Sequence, residues 1–205
     1  MACIKSAYSA AEHVGRQSIP ERALGMVMRL LSWLRSKTVM NIEEFPDVTT
    51  KTYVTVRWMI RRDMDEVLKI ERDGFSAPWG EEEFIKQLRQ RNTIGLVAEF
   101  DTSVVGYMVY EMHKQRYQLL NIAVAKGCRR IGVGQVMIEK LKNKLDPQRR
   151  RRIVTEVSES NLNAQLFFRG LGFRAIEVMR DYFQHPDGRF EDAYVMRYQG
   201  PRIDG

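Results

Sequence analysis

The sequence predicts a mixed α/β fold, a central sheet of about seven strands flanked by helices. Three observations point to it. Stretches of strand length and composition recur between residues 53 and 198, with helix-period stretches between several of them. Two of these strands, 93–100 and 104–111, are separated only by Asp101-Thr102-Ser103 and read as a hairpin. Over 119–145 an apolar strand runs through a basic, glycine-containing turn into a helix, and the rest of the chain is organised around that unit.

Residues 1–51 are expected to be an extension ahead of the domain. Residues 1–17 are small and polar and lack the apolar core of a signal peptide. Ser18 and Glu21 stand at capping-box spacing, and Leu24, Val27, Met28, Leu31 and Leu34 form one stripe of a helix at about 18–37. Arg22, Arg29, Arg35 and Lys37 make its other side basic. Such a helix can dock on the domain or a partner, lie on a membrane surface, or be functionally idle, and translation from Met40 would omit it. Residues 41–51, with Pro46, Thr49 and Thr50, read as a linker to a domain at 52–200, followed by a short tail at 201–205.

Within the domain, 53–58 alternates as a strand, and Asp63 is expected to cap a helix carrying Met64, Val67, Leu68 and Ile70. Phe75-Ser76-Ala77-Pro78-Trp79-Gly80 breaks the pattern and puts aromatics in a loop before a second helix at about 81–91. Those rings either plug the core or grip a ligand. After the hairpin, 117–125 is the fourth strand, and the helix behind the glycine turn carries Val133, Val136, Met137, Leu141 and Leu145. The run Arg149 to Arg152 reads as a solvated loop edge, with nucleic-acid contact the minority reading. Residues 153–157 are the fifth strand. Ser160-Asn161 open a helix through Gln165, Phe168 and Leu171, which Gly172 stops. Strands at 173–180 and 193–198 close the domain around a turn containing Pro186-Asp187-Gly188.

A formal net charge of +7 and a pI near 9.5 favour anionic ligands without identifying one. Cys3 and Cys128 lie far apart, so a disulfide framework is not expected and a reducing, cytoplasmic setting fits. No run approaches the roughly 18 apolar residues of a membrane span, so a soluble protein is expected. No metal-ligand cluster and no Ser-His-Asp set stands out.

A glycine-containing turn opening a helix leaves backbone N–H groups without partners beside the positive end of the helix dipole, which suits a phosphate. In Arg129-Arg130-Ile131-Gly132-Val133-Gly134 the glycine spacing is wrong for a dinucleotide fold, and the Gly-Lys-Ser/Thr of a nucleoside-triphosphate loop is missing. Arg129-x-x-Gly132-x-Gly134 instead resembles the acyl-CoA pyrophosphate loop of the GCN5-related N-acetyltransferase superfamily. Asn121-Ile122-Ala123-Val124, Glu156-Val157-Ser158-Glu159-Ser160-Asn161 and Phe168-Arg169-Gly170-Leu171-Gly172-Phe173 fall at the order and spacing of that superfamily's core. Pro78-Trp79-Gly80, Arg180-Asp181-Tyr182, Asp187-Gly188-Arg189 and Glu191-Asp192-Ala193 narrow the resemblance to the bacterial ribosomal-protein alanine N-acetyltransferase family. The match covers about 52–198.

That resemblance implies an acyl-CoA N-acyltransferase fold with a mostly antiparallel sheet, acetyl-CoA as co-substrate and no metal. The acceptor would be a protein N-terminus, such as that of a ribosomal protein. Ile122, Ala123 and Val124 would pair with the pantetheine arm, and Arg129, Arg130, Ile131, Gly132, Val133, Gly134 and Gln135 would hold the pyrophosphate. Asn161 and Phe168 would lie beside the cofactor, and Phe75, Pro78, Trp79 and Tyr182 would line the acceptor groove.

Alternation along 153–157 puts Glu156 on one face with Val154, where a carboxylate either pairs with an arginine or serves a site. The resemblance assigns Glu156 as the proton acceptor, directly or through water, and the Val124 N–H as the oxyanion donor. Phe168 stands where the family's tyrosine acid is expected, Ser158 where relatives often carry arginine, and Phe190 looks like an added residue in the last turn. The first keeps open a non-catalytic acyl-CoA-binding module, and the second keeps open a lysine or small-amine acceptor. His113, Tyr110 and Tyr117 lie near the fourth strand, where they could assist proton movement, but each reads first as surface or core.

Overall fold

The computed structural model describes residues 54–185 and 187–200. The chain divides into two units, Met1–Thr52 and Tyr53–Gly205. The helix expected at 18–37, the linker, the tail and Pro186 lie outside the described residues.

The second unit is built on one seven-stranded sheet in the order β1-β2-β3-β4-β5-β7-β6. The strands are β1 (Val54–Trp58), β2 (Thr93–Phe100), β3 (Ser103–Met112), β4 (Arg116–Val124), β5 (Arg152–Ser158), β6 (Arg174–Gln184) and β7 (Phe190–Gln199). Every neighbouring pair is antiparallel except β4 with β5. The expected hairpin closes at Asp101, an acidic residue at φ 55, a conformation Asp tolerates better than most side chains.

Four helices cover the sheet: α1 (Met64–Gly74), α2 (Glu81–Leu88), α3 (Val133–Lys142) and α4 (Leu162–Gly170). Val67 and Ile70 of α1 and Phe84 of α2 pack with Val97, Tyr107, Val109 and Ala123 of the strands. Tyr107 and Val109 alternate with the equally buried Met108 and Tyr110, so β3 is covered on both faces. Val133, Met137, Ile138 and Leu141 are the buried stripe of α3. That helix approaches β3 closely at Gly106, where a Cβ would stand 3.1 Å from Met137 Cε.

The structure corrects several boundaries. Asp63 makes no side-chain cap for α1. Its carboxylate instead accepts the Ile60 N–H at 2.8 Å and two bonds from Arg57 at 2.7 and 2.9 Å. Burial works against its ionisation, yet Arg57 and the Ile60 N–H hold the Asp63 carboxyl below the usual range. A partner six residues upstream, brought close by the chain reversal after β1, outcompetes the local cap. Helix α2 stops at Leu88, and Leu145 lies beyond α3 in a turn where its N–H bonds Lys142 C=O at 2.9 Å. Strand β6 runs on past Arg180 to Gln184 because a bulge at Asp181, φ 52, carries it forward.

Candidate active site

Strands β4 and β5 pair only from Arg116–Arg152 to Gln118–Val154, although β4 continues to Val124 and β5 to Ser158. Beyond Gln118 the sheet forks. On its other side β4 stays bonded to β3, with Ile122 opposite Met108, Ala123 opposite Tyr107 and Val124 opposite Gly106. Backbone groups of β4 along the fork are therefore left for a ligand or water. The sequence segment 122–124 lies along this open edge.

The fork leads into the basic loop. A 3-10 turn, Lys126–Cys128, buries the Cys128 thiol, and burial pushes it up to about 11, which makes it a poor nucleophile. Arg129 turns back, its Nε donating to Val124 C=O at 2.9 Å. Arg130 has φ 67, and its guanidinium reaches Asn163 Oδ1 at 3.3 Å. Gly132, at φ 94, is the N-cap of α3, and the helical ladder starts with Val136 N–H donating to Gly132 C=O at 3.0 Å. The N–H groups ahead of Val136 thus lack an intrahelical partner at the positive end of a ten-residue helix. A Cβ on Gly132 would meet no heavy atom within 4 Å, so this end of the helix is open. Gly134 is different: a Cβ there would stand 3.1 Å from the Phe167 ring and 3.7 Å from Val124 Cγ2. Ile131 is half-buried, Val133 is core and Gln135 is exposed. The described residues thus fit an extended, amide-bearing arm ending in a diphosphate.

Across the fork, Glu156 of β5 is half-buried. Gln118 Nε2 donates to both of its oxygens, at 2.9 and 2.8 Å. Tyr182 comes into range through the β6 bulge, where Asp181 N–H bonds Asp192 Oδ1 at 3.0 Å and Arg180 pairs with Asp192. Burial raises the Tyr182 hydroxyl above the usual range, and the Glu156 charge adds to that rise. Two residues along from Glu156, Ser158 donates to Glu191, which also accepts Ser160 N–H at 2.8 Å and faces His185 Nε2 at 2.8 Å. This cluster ties the β6–β7 connection to the end of β5. Burial opposes ionisation of Glu191, but the hydrogen bonds from Ser158, Ser160 and His185 win and bring it from 4.5 to about 2.

A folded-state value below the unfolded one stabilises the protein above about 4.5 and loses that contribution as pH falls toward 2. The melting temperature of the parent is therefore expected to fall more steeply between pH 4.5 and 2 than that of Glu191→Gln. Parallel slopes would show that Glu191 does not carry the effect.

The loop that carries Trp79 is anchored by Glu71. Glu71 of α1 is 1% exposed and accepts the Tyr107 hydroxyl, the Trp79 N–H at 2.8 Å and Asn121 Nδ2 at 3.1 Å. Burial and this carboxylate push the Tyr107 hydroxyl far above its ordinary value. One buried carboxylate therefore joins the Trp79 loop, the centre of β3 and the forked strand β4. Trp79 packs edge-on against Phe84, centroids 5.3 Å apart, so its ring serves the core, while Phe75 and Pro78 are exposed beside it.

Asn161 is the N-cap of α4, its Oδ1 accepting Ala164 N–H at 3.0 Å. Only its amide nitrogen is left to donate elsewhere. Phe168 is 3% exposed and lies between Phe167 and Phe173, each ring centroid 5.1 Å away. Packing accounts for its ring, and it is Phe167 that meets the loop at Gly134. Tyr110 and Tyr117 are buried against each other, and His113 pairs with Glu111 at 3.0 Å, away from these groups. Gln118 and Glu71 were not singled out from sequence, and Glu191 entered there only as part of a family motif. Glu71 could have been, since it continues the apolar spacing of Val67 and Ile70, where a charge needs a partner. Among the described residues no group of three or more His, Cys, Asp or Glu could hold a metal, and no helix is long and apolar enough to cross a membrane.

Comparison with known proteins converges on the same segment. An uncharacterized N-acetyltransferase of Methanocaldococcus jannaschii is 30% identical over 151 residues, 73% of this chain and 94% of that protein. The ribosomal protein bS18-alanine N-acetyltransferase of Escherichia coli K12 is 26% identical over 142 residues, 69% of this chain and 95% of the relative. The crystal structure of the ribosomal-protein-S18-alanine N-acetyltransferase from Escherichia coli superposes with a TM-score of 0.65 at 24% identity, covering 74% of this chain and 96% of that one. Arabidopsis thaliana NAA60, solved in complex with acetyl-CoA, superposes with a TM-score of 0.61 at 15% identity, covering 74% and 99%. The profile of the acetyltransferase (GNAT) family matches residues 64–173, from the first residue of α1 to the end of the α4 motif. With the fork and the left-handed loop both inside that match, the chain belongs to the acetyltransferase (GNAT) family.

Proposed function

We propose that the protein is an acetyl-CoA-dependent N-acetyltransferase that modifies the N-terminal α-amine of a protein, a ribosomal protein being the substrate its relatives' names favour. The observation that carries this reading is the fork: an open β4 edge leading to an open helix N-terminus, with a carboxylate facing it from β5.

Acetyl-CoA supplies an acyl thioester. The backbone of 122–124 pairs with its extended arm, and the loop Arg129 to Gln135 receives its diphosphate. The Val124 N–H donates to the carbonyl oxygen as that atom takes up charge. Phe75, Pro78 and Tyr182 border the acceptor's first residues, and Trp79 anchors the loop that presents the first two. The amine lone pair forms the new N–C bond, the C–S bond breaks, and the amine's proton passes to Glu156 directly or through one water. The departing thiolate has a conjugate acid of pKa about 8.5 and leaves without an obligatory proton donor. This makes Phe168, which has no proton to give, compatible with turnover.

The test is a peptide-library acetylation assay with acetyl-CoA and mass-spectrometric mapping of the product. Acetyl groups on the α-amine of Ala- or Ser-starting peptides are expected, and modification confined to lysine side chains or small amines would replace the acceptor. The missing hydroxyl at Phe168 leaves one alternative, a non-catalytic acyl-CoA-binding module. Tight acetyl-CoA binding without transfer to any peptide would establish it, whereas turnover raised by Phe168→Tyr would place proton donation among the limiting steps.

Gly132→Val tests the loop. A side chain at φ 94 is strained and would occupy the open end of α3. A loss of about 1 kcal/mol in stability is expected, together with a rise of about tenfold in KM for acetyl-CoA, the equivalent of roughly 1.4 kcal/mol. An unchanged KM would remove the loop from the binding site.

A further inference from the structure

Gln118 occupies the last paired position before the fork, opposite Val154, and its side chain spans the opening to Glu156. Its amide orientation is fixed by chemistry. Turned over, the amide would set Oε1 within 3 Å of two carboxylate oxygens, lone pairs against lone pairs, so Nε2 must be the atom that faces Glu156 at 2.9 and 2.8 Å. The consequence lies at the other end of the amide: Gln118 Oε1 is buried and has no hydrogen-bond partner among the described residues. A buried acceptor without a partner costs stability. Packing alone does not account for a glutamine here, since an unbranched apolar side chain of similar length fills the same space without the penalty.

We propose that Gln118 is a positioning residue for the transfer reaction, tying the Glu156 carboxylate across the apex of the fork at the cost of a buried, unpartnered Oε1. The proposal rests on Glu156 as the proton acceptor. Two bonds from one amide hold both oxygens, restrain rotation of the carboxylate and leave roughly one further lone pair on each oxygen for the amine's proton or a bridging water. Glu156 lies where β4 and β5 no longer support each other, so without the tie its side chain samples rotamers that aim away from the fork.

Gln118→Met removes the tie and the orphaned oxygen together. In the full-length protein, with acetyl-CoA and an Ala-starting peptide, kcat is expected to fall about 10- to 100-fold, the scale of a misplaced catalytic group, with KM for acetyl-CoA changed less than about twofold. The melting temperature is expected to hold, because relief of the unsatisfied acceptor offsets the bonds lost to the half-buried Glu156 carboxylate. A lower melting temperature, or failure to fold, would make Gln118 a structural residue and overturn the proposal.

The double variant Gln118→Met/Glu156→Gln gives a second, independent measurement. A residue acting through Glu156 has nothing left to position, so the double variant should be as slow as Glu156→Gln alone. Losses that multiply would overturn the proposal. Slow Glu156→Gln with a parental rate for Gln118→Met would defeat the tie and leave Glu156 as acceptor. A parental rate for Glu156→Gln would defeat the acceptor itself, and the proposal with it.

Discussion

Glu156→Gln should lower kcat for peptide acetylation by about 10²- to 10⁴-fold near neutral pH, the usual worth of a positioned general base. The substitution preserves shape, and the new amide can still accept one bond from Gln118, so the fork should keep its geometry. What is lost is the ability to take a proton. An N-terminal amine has a pKa of about 8, so below that pH most of the acceptor must be deprotonated on the enzyme. As pH rises past about 8 the amine arrives already neutral, and the variant is expected to recover relative to the parent. Steady-state rates from pH 6.5 to 9.5 check both parts. A deficit that stays constant across that range would point to a role other than proton acceptance.

Glu71→Ala is expected to be among the most destabilising single changes in the described domain, about 3–5 kcal/mol by chemical denaturation. The truncation leaves a cavity and strands three donors at once: the Tyr107 hydroxyl, the Trp79 N–H and Asn121 Nδ2. Tyr107 is 0% exposed, so its hydroxyl cannot turn to bulk water for compensation. Tyr107→Phe removes one donor and leaves Glu71 with the other two, so its cost should be smaller, about 1–3 kcal/mol. At temperatures where Glu71→Ala remains folded, KM for the peptide should rise more than KM for acetyl-CoA, because the freed loop carries Trp79. Equal rises in both constants would assign the network to general stability alone.

The hairpin of β2 and β3 was legible because a short turn separates two strand-length runs, and β1 because it alternates, whereas β3 reads as one continuous apolar run because it is buried on both faces. Gly172 stopped α4 as expected, adopting φ 84 just past the helix. Asp63 was misread as a helix cap for the opposite reason: its partner Arg57 stands across a chain reversal that no local pattern announces. The site divided along the same line. The loop Arg129 to Gly134 is contiguous and so could be recognised, and Glu156 entered through alignment with a family motif. Gln118 and Glu71 draw their meaning from partners 38 and 50 residues away, Glu156 and Asn121. A polar residue in an apolar strand and a charge on an apolar helix face are visible in sequence, but the groups that satisfy them are not.

The fork also bears on how the domain melts. Consecutive antiparallel neighbours β1 to β4 form one plate and β5, β7 and β6 another, and the two are stitched along three residue pairs. A ligand lying in the gap adds hydrogen bonds to the seam itself, so it acts as an eighth strand that the polypeptide does not supply. Such a ligand binds the native state and not the unfolded chain, and it raises stability by about 2.7 kcal/mol at a hundred times its dissociation constant. Thermal shift on titration with coenzyme A thioesters therefore reads binding to the native state. Protection of the Leu119–Val124 amides from hydrogen exchange would locate it in the seam.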